Sequence, residues 1–79
     1  MKGRIWKEGE FWIAEVPELD VMAQGRTEKE AHIVIGEAIE SLINQADVSV
    51  RAVTMGGGKV QITCSKPGVL EELKKKRRS

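Results

Sequence analysis

Residues 11–31 constrain the fold of this chain more than any other stretch. They begin with aromatic and β-branched side chains, which favour a strand. Pro17 follows, and because proline fixes φ and lacks a backbone N–H, the strand should end there in a reversing turn over residues 18–20. Residues 21–25 then return as another strand. This order predicts a strand, a proline-led turn and an antiparallel partner strand.

A long helix is predicted directly after this strand pair. Thr27 and Glu30 have the spacing of a capping box, in which the threonine side chain accepts from the backbone N–H three residues on. Glu37 and Glu40 fall on a polar face that should point away from the sheet. The opposite, apolar face should cover the sheet, and it comprises Ala31, Val34, Ile35, Ala38, Ile39, Leu42, Ile43 and Ala46.

Three residues depart from this helical pattern. Ile33 projects from the polar face, either as an isolated exposed residue or, with Val34 at the flank, as the seed of a helix-mediated oligomer contact. Gly36 costs roughly 1 kcal/mol relative to alanine in mid-helix, which indicates that something approaches the helix backbone closely there. His32 should lie half-buried at the edge of the apolar face, in the core or against a partner.

Further strands are predicted on both sides of this central unit. Residues 4–8 and 10–16 flank Gly9, which can supply the positive φ of a hairpin turn. After residue 47, apolar and polar residues alternate on both sides of a three-glycine run, which predicts two short strands. The last of these strands should turn Cys64 inward.

The predicted fold is α+β, a β-β-β-α-β-β-α chain in which an antiparallel meander packs on one long helix. The two later strands should extend the sheet or make a subunit contact. We expect one domain over residues 1–79, with residues 66–79 forming a short basic C-terminal helix or tail. Because a chain of 79 residues builds only a marginal core, self-association is also expected.

The residue inventory predicts no enzyme, no metal and no cofactor. The single cysteine and the single histidine do not match a zinc-ligand spacing, and no Ser-His-Asp or Cys-His arrangement is available. The three-glycine run before Lys59 lacks the spacing and the Ser or Thr of a phosphate-binding P-loop. No window approaches the roughly 18 apolar residues of a membrane span, and the basic start is followed by no apolar run. We therefore expect a cytoplasmic protein.

Three sequence patterns together resemble the HicB-like antitoxin family. They are W-x-A-x-x-P-E-L at residues 12–19, Q-G-x-T at residues 24–27 and a helix opening on E-x-x-A at residues 28–31. The resemblance is best over residues 4–42, and it implies a partial RNase H-like fold. It also implies a non-catalytic role, in which the chain neutralises a small RNA-cleaving HicA-type toxin by occlusion.

The chain departs from the family pattern at two places. Members commonly read L-P-G-C after the P-E-L turn, whereas this chain reads L-D-V-M at residues 19–22 and is one residue shorter. Many members also continue into a helix-turn-helix or ribbon-helix-helix module that binds operator DNA. No second amphipathic helix pair is present, so no sequence-specific DNA binding is expected from this chain alone.

Candidate contact residues fall into two groups. Trp6 and Trp12 are candidates for a partner or oligomer contact, since aromatic side chains anchor interfaces, although both also suit a core. Ile33 and Val34 are the helix candidates named above. A basic run ends the chain, either as a solvated terminus or as a set of phosphate contacts, and it comprises Lys74, Lys75, Lys76, Arg77 and Arg78.

Two other functions stay open beside the antitoxin hypothesis. The chain could be an orphan HicB-like module with no toxin, which assembles into a dimer or a higher homo-oligomer with a structural or regulatory role. It could also bind nucleic acid weakly and without sequence specificity through the basic C-terminus. The net charge does not decide between them, because 13 Lys and Arg residues nearly balance 12 Asp and Glu residues.

Overall fold

Five strands form one antiparallel sheet in the order β3-β2-β1-β5-β4. The computed structural model describes residues 1–77. Its strands are β1 (Lys2–Glu8), β2 (Phe11–Val16), β3 (Val21–Gly25), β4 (Val50–Gly56) and β5 (Lys59–Cys64). The α+β prediction is confirmed. The two later strands were predicted either to extend the sheet or to make a subunit contact, and the structure shows that they extend the sheet. Because β5 pairs with β1, the edge strands are β3 and β4.

Local sequence signals explain where the strands end. Gly9 adopts a φ of +62° between β1 and β2, as the hairpin prediction requires. Pro17–Leu19 forms a single 3₁₀ turn after β2, and Asp20 then takes a left-handed conformation with a φ of +53°. That residue reverses the chain so that β3 returns beside β2.

Helix α1 (Glu28–Ile43) begins at the predicted cap and ends earlier than its apolar pattern indicates. The Thr27 hydroxyl accepts from the Glu30 N–H over 3.0 Å, and the Glu30 carboxylate accepts from the Arg26 N–H over 3.2 Å. Asn44 adopts a left-handed conformation with a φ of +57° and ends the helix. Ala46, which the pattern placed on the apolar face, therefore lies beyond the helix and is exposed.

Both helices pack on the same face of the sheet. Helix α1 contacts β2, β3 and β4, whereas α2 (Pro67–Arg77) contacts β5, α1 and the 3₁₀ turn. Alternate residues of the strands point into this layer, and half-buried Cys64 packs against it as predicted. The core between the layers includes Ile5, Ala14, Val16, Leu19, Ile35, Ile39, Val60, Ile62, Leu70 and Leu73. Within residues 1–77, no element covers the other face of the sheet.

Gly36 explains how closely α1 can approach β4. A Cβ atom built on Gly36 would lie 2.9 Å from the Val50 carbonyl oxygen, a separation that real side chains do not tolerate. The close approach predicted from this mid-helix glycine is therefore confirmed. Its partner is the backbone of an edge strand, which places the polar side of α1 next to the β4 edge.

Candidate functional site

The free edge of β4 is covered only in part. The Val50 N–H donates to the Glu40 Oε2 atom over 2.7 Å, so it points away from the neighbouring strand β5. Backbone direction alternates along an antiparallel pair, which places the N–H and C=O groups of Ala52 and Thr54 on the same outer side. Unpaired strand groups of this kind can receive another strand. The prediction that Glu40 points away from the sheet is wrong, because its carboxylate caps this edge strand.

Helix α1 lines the same edge with polar and apolar side chains. The His32 Nε2 and Thr54 Oγ1 atoms lie 2.8 Å apart, at hydrogen-bond distance, and this contact holds the half-buried imidazole against β4. Ile33 is 52% exposed although it is large and apolar. A groove runs between the helix and the strand, and its lining comprises His32, Ile33, Glu37, Glu40, Val50, Arg51, Ala52 and Val53.

The exposed surface of α1 is acidic. The helix contains four glutamates and one lysine, so its side chains carry a net charge of −3 with the histidine neutral. Glu30 and Glu37 lie about one turn before and after Ile33, on the same side of the helix. We refer to Glu30, Ile33, Glu37 and Glu40, together with the free edge of β4, as the α1–β4 surface. It combines one exposed apolar residue, an acidic surround and unpaired strand groups.

The four predicted contact residues do not come together. Trp12 lies near the start of β2 on the helix-covered face, where it packs against the core, and half-buried Val34 packs against the same core. Trp6 points to the opposite face of the sheet and is partly exposed there. Only Ile33 lies on the α1–β4 surface. Trp6 and Ile33 therefore lie on two different surfaces. A partner or oligomer contact predicted at one of them does not involve the other.

The residues of the basic C-terminal run differ in their structural roles. Lys74 Nζ lies 3.2 Å from Glu18 Oε2, and Arg77 donates from its Nε atom to the Leu19 carbonyl oxygen. These two side chains fasten the end of α2 to the 3₁₀ turn. Lys75 and Lys76 are exposed. Arg78, the last of the predicted phosphate contacts, lies outside the described residues.

An ion pair joins the two loops at the far end of the sheet. Lys66 donates to the Asp47 carboxylate, and this hydrogen bond, together with the nearby positive charge, lowers the pKa of Asp47. Both side chains are at least half exposed, so the pair is solvated. Among residues 1–77, no group of three or more His, Cys, Asp and Glu side chains is arranged to hold a metal ion.

Sequence reasoning missed the β4 edge as part of a site. Glu40, Thr54 and Ala52 are ordinary residues in an alternating or helical pattern, and nothing in that pattern states which strand will be an edge. The one available signal was Gly36, which indicated a close backbone approach but not its partner.

Comparison with known proteins finds no matching family model, no matching curated protein and no matching solved structure. The resemblance to the HicB-like family over residues 4–42 therefore stays a prediction from the sequence. No helix among residues 1–77 combines the length and the apolar character needed to cross a membrane.

Proposed function

We propose that this chain is a HicB-like antitoxin-type protein with a partial RNase H-like fold. It binds a small RNA-cleaving partner of the HicA type in the cytoplasm and neutralises that partner by occluding its RNA-binding surface. One observation carries the proposal: exposed Ile33 lies in the middle of the acidic α1–β4 surface.

Charge complementarity supports this partner class. A protein that cleaves RNA must attract phosphates, so its substrate surface is rich in Lys and Arg. The acidic side chains of α1 would face such a surface with opposite charge, which speeds association and favours the correct orientation. A basic partner that occupies this position with its RNA-binding side cannot bind RNA at the same time.

Ile33 supplies the apolar part of the contact. Its side chain is 52% exposed, so a partner could remove about half of it from water. Full burial of such a side chain contributes roughly 1.5–3 kcal/mol, so the remaining half corresponds to about 1 kcal/mol. The unpaired groups of Ala52 and Thr54 could add main-chain hydrogen bonds to a partner strand. Occlusion of this kind requires no chemical step from the chain.

Ile33→Lys should abolish capture of the toxin, because the new charge lies where a basic partner must approach. The tagged chain is purified from native lysate at moderate salt with nuclease treatment, and small co-purifying proteins are identified by mass spectrometry. The expected wild-type result is a stoichiometric partner whose ribonuclease activity disappears in the complex. Met22→Lys is the matched control, since Met22 is also an exposed apolar residue, 60% exposed, but lies on the opposite edge strand.

Two results would contradict the proposal. Recovery of the chain with only itself would exclude a stable toxin partner. Equal loss of the partner in Ile33→Lys and Met22→Lys would show that the α1–β4 surface is not the contact.

A second candidate function is the orphan homo-oligomeric module. The observation that favours it is a row of exposed apolar side chains at the edge strand, where Val53 is 52% and Met55 is 65% exposed. Two copies could pair their β4 edges in antiparallel fashion around a two-fold axis, which gives a self-complementary contact. In that assembly Ile33 of each copy would contribute to the dimer rather than to a toxin interface.

A further inference from the structure

The helix-free face of the sheet carries an aromatic centre that the proposed function does not use. Trp6 and Phe11 both point to this face, which we call the open face, and both are partly exposed. Ile13 lies directly opposite Trp6 in the β1–β2 pair and is only 9% exposed although it is not part of the core beneath the helices. Trp6, Phe11 and Ile13 therefore form an apolar platform at the centre of the open face.

The rim of the open face is basic. Five cationic side chains occupy it, namely Lys2, Arg4, Arg26, Arg51 and Lys59, against two carboxylates, those of Glu8 and Glu15. The difference is a net charge of +3, whereas α1 on the other side of the sheet carries −3. The small net charge of the whole chain therefore conceals a basic rim on the open face and an acidic helix α1, although α2 on the side of α1 is itself net basic.

The cations are arranged around the aromatic side chains. The Arg26 guanidinium lies over the Phe11 ring, 5.8 Å from its centroid. Arg4 pairs with Glu15 on one side but lies directly opposite Lys59 on the other. Arg4 and Lys59 therefore place two positive charges side by side, where one phosphate could contact both.

The loop on one flank of Trp6 carries no side chains. The Ile5 N–H donates to the Gly58 carbonyl oxygen over 2.8 Å, which brings the loop of residues 56–58 beside the next residue, Trp6. All three loop residues are exposed glycines. The loop therefore places no side chain in the way of a planar group that approaches the indole from that side.

We propose that the open face binds single-stranded nucleic acid. Bases stack on Trp6 and Phe11, and phosphates contact Arg4 and Lys59 beside the platform and Arg51 at the other end of the β4–β5 pair. Proteins that bind single strands combine these same parts, an aromatic stacking platform and a positively charged surround. Trp6 and Phe11 lie across the sheet from Ile33, so this proposal goes beyond the antitoxin function and does not depend on it, although Arg51 also lines the groove beside α1.

The charge pattern favours this occupant over a second copy of the chain. Two open faces placed against each other would bring their basic rims together, which is unfavourable at close range. An acidic polypeptide would satisfy the cations, but it offers no planar bases to the aromatic platform. Competition by such a polypeptide is therefore part of the test.

Arg51→Glu combined with Lys59→Glu tests the phosphate contacts. Fluorescence anisotropy measures binding of labelled oligouridylate and oligothymidylate, about 12 nucleotides long, at salt concentrations from about 50 to 200 mM. The double variant should weaken binding at least about tenfold and lower the salt dependence by about two phosphate contacts. Lys75→Glu combined with Lys76→Glu is the matched control, because it makes the same change in net charge on exposed residues of α2 and should leave binding within about threefold.

Trp6→Leu tests the stacking. Leucine is apolar like tryptophan but has no aromatic face, so the variant should bind the oligonucleotides about tenfold more weakly. Its thermal unfolding, followed by circular dichroism, should show that it still folds. Oligonucleotide binding should also quench the tryptophan fluorescence of the wild type, and the quenching should be lost in the variant.

Three results would overturn the inference. The first is absence of salt-dependent binding by the wild-type chain. The second is loss of binding in the α2 control with retention in Arg51→Glu/Lys59→Glu, which would place nucleic acid at the C-terminus. The third is equal competition by polyglutamate, which would mean that the face accepts any polyanion. None of these results bears on toxin capture by Ile33, so the two proposals fail separately.

Discussion

At the scale of single residues, Gly36 decides how α1 lies on the sheet. Glycine is a poor helix former, and at an exposed helical site alanine stabilises the helix by about 1 kcal/mol relative to glycine. Here the helix backbone comes so close to Val50 that a Cβ atom would sit 2.9 Å from its carbonyl oxygen. The local preference and the tertiary contact therefore oppose each other at this position, and the contact should dominate because the obstacle is backbone rather than a flexible side chain.

Gly36→Ala should lower the free energy of unfolding by about 1 kcal/mol, because the cost of overpacking exceeds the gain in helix propensity. Urea denaturation followed by circular dichroism measures the change. Ser41→Ala, at an exposed site of the same helix, is the control and should be neutral or slightly stabilising. An increase in stability for Gly36→Ala would mean that α1 does not lie this close to β4.

At the scale of elements, the ion pair of Asp47 and Lys66 links the loop before β4 to the segment that begins α2. The lowered pKa of Asp47 means that its charged form is favoured by folding. The stabilising contribution is therefore fully present above the unfolded pKa of about 3.9, and it disappears as the pH falls through the lower pKa of the folded protein. The effect on stability is small because both groups are solvated.

Lys66→Met should raise the pKa of Asp47 toward its ordinary value, since it removes both the hydrogen bond and the positive charge. Titration of the Asp47 carboxyl by NMR measures this shift. Lys75→Met, which removes a lysine from exposed α2, should leave the Asp47 titration unchanged. An Asp47 pKa in Lys66→Met equal to that in the wild-type protein would show that the two side chains do not pair in solution.

At the scale of the whole molecule, the sheet separates the basic rim of the open face from the acidic helix α1, and it ends in a partly covered strand edge. Within residues 1–77 the helices cover one face only, so the open face and part of the β4 edge stay accessible to partners. A chain of 79 residues gains little stability from so small a core, which gives pairing of the β4 edges an energetic reason.

Val53→Lys should convert a wild-type dimer to a monomer in sedimentation velocity experiments if the orphan-module function is correct, because lysine on an edge strand disfavours strand pairing. Met22→Lys introduces the same charge on the other edge strand and should leave the dimer intact. A wild-type chain that sediments as a monomer would exclude the β4 dimer, and dissociation in Met22→Lys alone would place the contact at β3.

The sequence by itself determined the order and type of the elements, because their signals are local. The Thr27 cap, the Pro17 stop and the Gly9 turn each depend on a few neighbouring residues, and each lies where it was predicted. The end of α1 was placed too late, since Asn44 leaves the helix although the apolar spacing continues to residue 46. Aromatic, apolar and basic residues could likewise be named as candidates without their surroundings.

Only the tertiary structure decided which surfaces those residues form. The pairing of β5 with β1 makes β4 an edge, turns Glu40 toward Val50 and brings Lys59 opposite Arg4. These relations join residues up to 61 positions apart, as in the contact of the Met1 amino group with the Ile62 carbonyl oxygen. Strand pairing depends on which strand edges come together, and those edges can be far apart in the sequence. An alternation of apolar and polar residues is compatible with several strand orders. The surfaces on which both proposals rest therefore arise from packing.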